Sequence, residues 1–126
     1  MSKQALGAAG IARRAEGPIS IDLESKMVLL AGPRQCGKTT LARSLLRRQG
    51  GEYFSWDVAA HRKTLRAQAL PEDAKLWVFD EIHKYRGGRN WLKGVYDLHA
   101  GQHAILVTGS ARLAAYSRGR DSLQGR

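Results

Sequence analysis

Met27-Val28-Leu29-Leu30-Ala31-Gly32-Pro33-Arg34-Gln35-Cys36-Gly37-Lys38-Thr39-Thr40-Leu41-Ala42-Arg43-Ser44-Leu45-Leu46 is the stretch that decides the fold. Its first five residues are apolar on both faces, as a buried parallel strand requires. Its last six have the spacing of an amphipathic helix. Between them, Gly32 to Thr40 match G-x-x-x-x-G-K-[ST], the phosphate-binding loop, in the strand–loop–helix setting the motif demands. Gly32 and Gly37 let the backbone curl so that successive N–H groups face inward as a nest for phosphate oxygens. Lys38 is spaced to reach the β- and γ-phosphates, and the Thr39 hydroxyl to ligate Mg²⁺. The helix that opens there brings its positive end to the same phosphates. With this chain's composition the bare pattern arises by chance in roughly one sequence in a hundred. A nucleotide site over Gly32, Pro33, Arg34, Gln35, Cys36, Gly37, Lys38, Thr39 and Thr40 is therefore the expectation.

At 126 residues the chain has the size of one domain. Hydrophobic content of 43% with 25% charged residues argues for a packed core rather than disorder. The longest apolar run is too short to cross a membrane, and Arg13-Arg14 leads into Ala15-Glu16-Gly17-Pro18 rather than an apolar segment. The single cysteine rules out an internal disulfide, and no Cys/His spacing suggests zinc. A cytoplasmic protein with no membrane partner is the expectation. The net charge of +10 fits a nucleic-acid partner, but the arginines are scattered, and Arg47-Arg48 before Gly50-Gly51 suit a helix C-terminus without any ligand.

Residues 1–25 read as a tail or short helix, and 26–126 as the nucleotide-binding domain. Beyond the strand at 27–31 and the helix at 38–48, the pattern predicts a strand at 53–56 and a helix over 58–69. Asp57 is read as the cap of that helix, with Leu65 and Ala69 inward. A strand follows at 76–79. A helix over 91–99 is then opened by Asn90, with Trp91, Val95 and Leu98 inward. A strand at 104–107 and a short helix near 111–116 complete the series. Strands alternating with helices predict a parallel α/β sheet.

Two further clusters carry chemistry. Leu76-Trp77-Val78-Phe79 delivers Asp80-Glu81 to the C-terminal end of a strand, where open α/β sheets bind ligands. Asp80 is placed to hold Mg²⁺ through water, and Glu81 to orient and polarise an attacking water. Thr108 and Ser110 end the next strand at the same edge. A hydroxyl there could touch the terminal phosphate, or simply open the following helix. Cys36 would gain thiolate character from its neighbours, although filling a small slot in the loop explains it as well. His83 after Asp80-Glu81-Ile82 resembles the DExH box of helicases, but reads equally as a loop histidine.

Taken together, GPRQCGKTT, LWVFDEIHKY, WLKGVYD, ILVTGS and the terminal DSLQGR resemble the prokaryotic AAA-type ATPases with a GPRQ-type Walker A, over about residues 26–126. The resemblance implies that Gly32 to Thr40 bind ATP, that Asp80 and Glu81 are the Walker B pair, and that Thr108 or Ser110 stands at the sensor position. It also implies a three-layer P-loop fold with strand order 5-1-4-3-2. Members run on through a fifth strand, a helical lid and a C-terminal domain of unknown function. By the resemblance this chain corresponds to strands 1–4, truncated before that fifth strand. It departs from the pattern at Arg120, where glycine is usual. Missing the fifth strand, the edge at 27–31 points to self-association.

The expected activity is Mg-ATP binding and hydrolysis, weak in this chain alone. The alternative is a non-hydrolysing nucleotide-binding fragment or switch. A helicase would need a second motor domain, an ABC ATPase an LSGGQ-like segment, and a GTPase an N-K-x-D segment; the sequence has none of these.

Overall fold

Alternating apolar runs and amphipathic segments fold as the sequence pattern predicts. The computed structural model describes residues 18, 19, 23, 27–32, 38–99, 101–110, 112 and 113. Strand β1 (Val28–Ala31) leads to helix α1 (Lys38–Gln49), then β2 (Gly51–Ser55), α2 (Ala59–Arg66) and β3 (Leu76–Asp80). A single 3₁₀ turn, Ile82–Lys84, precedes α3 (Gly88–His99) and β4 (Ala104–Gly109). The strands form one parallel sheet in the order β1-β4-β3-β2. That is the order implied for the first four strands, with β1 at one end among the described residues.

Each strand divides its side chains between two cores. Leu76, Val78 and Leu106 face α1 and meet Leu41, Ala42 and Leu45, with Leu23 also in this cluster. Trp77, Phe79, Ile105 and Val107 face the other way, against Leu65 of α2 and Trp91, Leu92 and Val95 of α3. Hence three layers: α1, sheet, α2 with α3. β3 is buried on both faces, which is why it reads as an uninterrupted apolar run. Two of the three indoles in the second core donate their N–H groups to backbone carbonyls. Trp77 Nε1 donates to the Pro71 carbonyl at 3.0 Å and Trp91 Nε1 to the Leu65 carbonyl at 2.8 Å. An unpartnered N–H in such a place would cost about 1–3 kcal/mol.

The two glycines after α1 have separate jobs. Gly50 adopts φ +74°, and its N–H closes the helix on the Leu46 carbonyl at 2.9 Å. Gly51 is already the first residue of β2, opposite Leu76. Strand β2 thus begins two residues earlier than the aromatic run suggested. Arg47 and Arg48 do lie in the last turn of α1, where the helix dipole favours them.

Four local expectations are corrected. Helix α2 ends at Arg66, leaving Ala69 exposed, and its N-cap is Val58 with no side-chain cap bond. Asp57 instead pairs with Lys84 at 2.8 Å. Helix α3 begins at Gly88, so Asn90 lies within it. Leu98 is 68% exposed rather than inward, although its i+7 and i+3 spacing from Trp91 and Val95 is that of one helix face; it lies in the last turn of α3, beyond the buried Trp91, Leu92 and Val95. The expectations for Pro33 to Gly37, the tail before 18 and the segment after 113 lie outside the described residues.

Register matters most at the C-terminal edge. Ser55, Asp80, Thr108 and Leu30 stand side by side across the four strands. Aligned residues of parallel strands point to the same face, so these belong to the α1 side, along with Tyr53, Val78 and Leu106 two residues earlier.

Candidate functional site

Lys38 opens α1 directly behind the end of β1 and is buried, at 8% exposure. Its ammonium donates to the carbonyls of Gly32 at 2.6 Å and Gly109 at 2.7 Å. The Gly32 N–H bonds the same Gly109 carbonyl at 3.2 Å, so the ends of β1 and β4 and the start of α1 are drawn together. A buried ammonium needs such partners, since burying a charge without hydrogen bonds is costly.

Asp80, the last residue of β3, lines the same cleft as Lys38. Its Oδ1 accepts from the Thr108 hydroxyl at 2.8 Å and its Oδ2 from the Tyr53 hydroxyl at 2.5 Å. Both donors come from strands flanking β3. Burial raises the Tyr53 phenol well above its ordinary pKa, and its hydrogen bond to Asp80 raises it further, so Tyr53 remains a neutral donor. Lys38, Thr39, Ala42, Arg43 and Leu46 of α1 face Tyr53, Asp80 and Thr108 across a cleft of about 260 Å³.

Glu81 departs from its neighbour. Its backbone is left-handed, φ 60° and ψ 25°, and its N–H donates to the Thr108 carbonyl at 2.8 Å. The carboxylate lies 3.3 Å from Lys84 Nζ and 3.5 Å from His83 Nε2. Lys84 also holds Asp57, which raises its pKa, the bond to Asp57 being the main cause. His83 is almost enclosed and its ring lies over Gly109, 3.1 Å from where a Cβ would stand. Burial is the chief cause of its lowered pKa, opposed by Glu81.

Of the residues singled out in the sequence, Lys38, Thr39, Asp80 and Thr108 come together around one cleft. Glu81 does not line it. Ser110 lies beyond it, and its carbonyl accepts from Leu113 N–H at 2.9 Å, the arrangement of a turn opening a helix. Thr40 is exposed on α1. Tyr53 and Arg43 are the additions. Arg43 was legible as i+4 from Thr39 on one helix face; Tyr53 was not, since only the pairing of β2 with β3 places it near Asp80.

The donor set suits a hard cation. Mg²⁺ takes one or two protein oxygens and completes its octahedron with water and substrate phosphate. The cleft offers the Asp80 carboxylate and the Thr39 hydroxyl. Among the described residues no group of three or more His, Cys, Asp or Glu side chains gathers as a metal site. Nor is any helix there long and apolar enough to cross a membrane.

A three-layer parallel sheet with the phosphate-loop sequence between β1 and α1, and an acidic strand end at β3, defines a P-loop nucleoside triphosphatase type of fold. A family model described as an AAA domain matches residues 24–126. The chain belongs to that AAA domain family, and membership carries a nucleotide-binding, ATPase-type function. No curated protein and no solved structure matches the chain.

Proposed function

We propose that the chain binds Mg-ATP at the C-terminal edge of the sheet and that its AAA domain is of the GPRQ-x-GKTT group, built for hydrolysis. The observation that carries this is the meeting of Lys38, Thr39, Asp80 and Thr108 around one cleft, although they stand up to 70 residues apart in the chain. In this reading Gly32 to Thr40 cradle the phosphates and Lys38 neutralises the terminal ones. Thr39 and Asp80 would hold Mg²⁺, which would supply charge neutralisation for the bound phosphates. Thr108 keeps the Asp80 carboxylate in place. Glu81 orients and polarises the attacking water. ATP is favoured over GTP because the sequence has no N-K-x-D segment.

One observation favours the second reading, a nucleotide-binding switch with little turnover. Glu81 sits outside the cleft, paired with Lys84. That pair is open to solvent on one side only, with Lys84 46% and Glu81 15% exposed. In the hydrolytic reading, which stays the primary one, Glu81 leaves Lys84 and turns toward the bound phosphate.

The test is a pair of variants. Lys38→Ala should lose binding of a fluorescent ATP analogue. Glu81→Gln should retain it, with Mg²⁺ dependence intact, and lose hydrolysis. Mg-ATP at 100 times its Kd should raise the stability of the unaltered chain by about 2.7 kcal/mol, read as a higher Tm. Equal loss of binding in both variants would refute the division of roles, and no thermal shift with any nucleotide would sink the nucleotide reading.

A further inference from the structure

Tyr53 belongs to neither the phosphate-loop nor the acidic-strand sequence, yet it makes the shortest hydrogen bond to Asp80. The two residues share the α1 face because Tyr53 pairs with Val78 and Ser55 with Asp80 in the β2–β3 register. A carboxylate turns readily about its last torsion, whose energy profile is broad. At Asp80 that freedom is removed from both sides. The Thr108 hydroxyl on β4 holds Oδ1 and the Tyr53 hydroxyl on β2 holds Oδ2, at 2.8 and 2.5 Å. Each oxygen keeps a second lone-pair direction, and the cleft those directions can serve also contains Thr39.

We propose that Tyr53 is a positioning residue of the divalent-cation site, its hydroxyl fixing the plane of the Asp80 carboxylate so that the remaining lone pairs receive the cation or its water. The inference rests on the Mg-nucleotide reading given above and adds a residue to it. Tyr53 suits the task physically. It stands on the terminal strand β2 and is 39% exposed, so its hydroxyl rather than its ring contributes most at this place. Its ring approaches His61 edge-on at 6.4 Å, a contact that phenylalanine would preserve. Partners that orient a metal-binding carboxylate influence affinity through that orientation, and their removal commonly weakens metal binding about tenfold or more.

The experiment titrates MgCl₂ into the full chain with a fluorescent ATP analogue, alongside the same analogue in EDTA, for the unaltered chain and for Tyr53→Phe. The proposal expects the Mg²⁺ concentration for half-maximal enhancement to rise about tenfold in Tyr53→Phe, with unchanged affinity in EDTA. Thr108→Val should shift it in the same direction by removing the other donor. An unchanged Mg²⁺ requirement in Tyr53→Phe overturns the proposal. So does an equal loss of affinity with and without Mg²⁺, which would assign Tyr53 a purely packing role. Absence of binding by the unaltered chain in both conditions is a separate result: it overturns the nucleotide reading and takes this inference with it.

Discussion

Adding one methyl group at Gly51 tests the β2–β3 register on which the site depends. A Cβ there would press into the Leu76 carbonyl oxygen, well inside contact distance, and lie 2.8 Å from Leu46 Cδ2 and 2.9 Å from Leu76 Cβ. The leucine methyl can rotate away; the carbonyl belongs to the fully buried strand β3 and cannot. Relief therefore requires β2 to move off β3 at its first residue. Overpacking of this kind costs about 1–3 kcal/mol, and each ladder bond loosened by the movement adds about 1 kcal/mol. About 3 kcal/mol is the expected total for Gly51→Ala. Gly50 supplies the control. A Cβ there meets nothing within 4 Å, but its φ of +74° remains unfavourable for alanine. That strain of about 1–2 kcal/mol is partly offset by the entropy alanine removes from the unfolded chain, leaving about 1 kcal/mol. At about 4 °C per kcal/mol for a domain of this size, thermal unfolding should show Gly51→Ala melting roughly 12 °C lower and Gly50→Ala roughly 4 °C lower. If Gly51→Ala melts no lower than Gly50→Ala, β2 does not lie against β3 in this register, and the placing of Tyr53 beside Asp80 falls with it.

Glu81→Gly should melt above Glu81→Ala by about 4 °C, or about 1 kcal/mol, because glycine relieves the left-handed backbone that alanine retains. The reverse order would refute the turn. His83 gives a pH signature. Burial depresses its folded pKa below 6.5, so the unfolded chain binds the extra proton first. The stability associated with the neutral ring is present above pH 6.5 and is lost as pH falls through the lowered folded value. Melting temperature should drop more steeply below about pH 6.5 in the unaltered chain than in His83→Gln, and parallel curves would remove His83 from the acid transition.

Much of this architecture was legible because its signals are local. The phosphate-loop spacing and the apolar run ahead of Asp80 each occupy fewer than a dozen consecutive residues, and the alternation of strands with helices is a series of equally short signals. They suffice to bring Lys38, Thr39, Asp80 and Thr108 to one sheet edge. What escaped depends on relations between segments. Tyr53 looks like half of an aromatic core strand until the pairing with β3 turns it to the α1 face, while its neighbour Phe54 goes to the opposite core. Asp57 has a good capping side chain, but the lysine at position 84 engages it across 27 residues, and the helix opens one residue later without it. Leu98 failed for a different reason: α3 has its buried stripe satisfied by Trp91, Leu92 and Val95, so hydrophobicity alone does not place a fourth residue.

The left-handed residue at Glu81 links these observations. Strand β3 is held on both sides through its last residue, with Trp56 N–H donating to the Asp80 carbonyl at 2.9 Å and Glu81 N–H to the Thr108 carbonyl at 2.8 Å. A continuing strand would send the next side chains outward over the edge. Instead the chain turns at Glu81 so that Ile82 enters the α2–α3 core, where it is fully buried. Burying an isoleucine is worth about 1.5–3 kcal/mol, against about 1–2 kcal/mol for the backbone strain, so the turn is sustained by the residue that follows it. The same turn separates two adjacent carboxylates. Asp80 stays on the α1 face with Lys38 and Thr39, and Glu81 swings to the rim beside Lys84 and Asp57. Two acids in one short segment thereby acquire different neighbours, and the proposed division of roles, Asp80 for a cation and Glu81 for a water, rests on that difference.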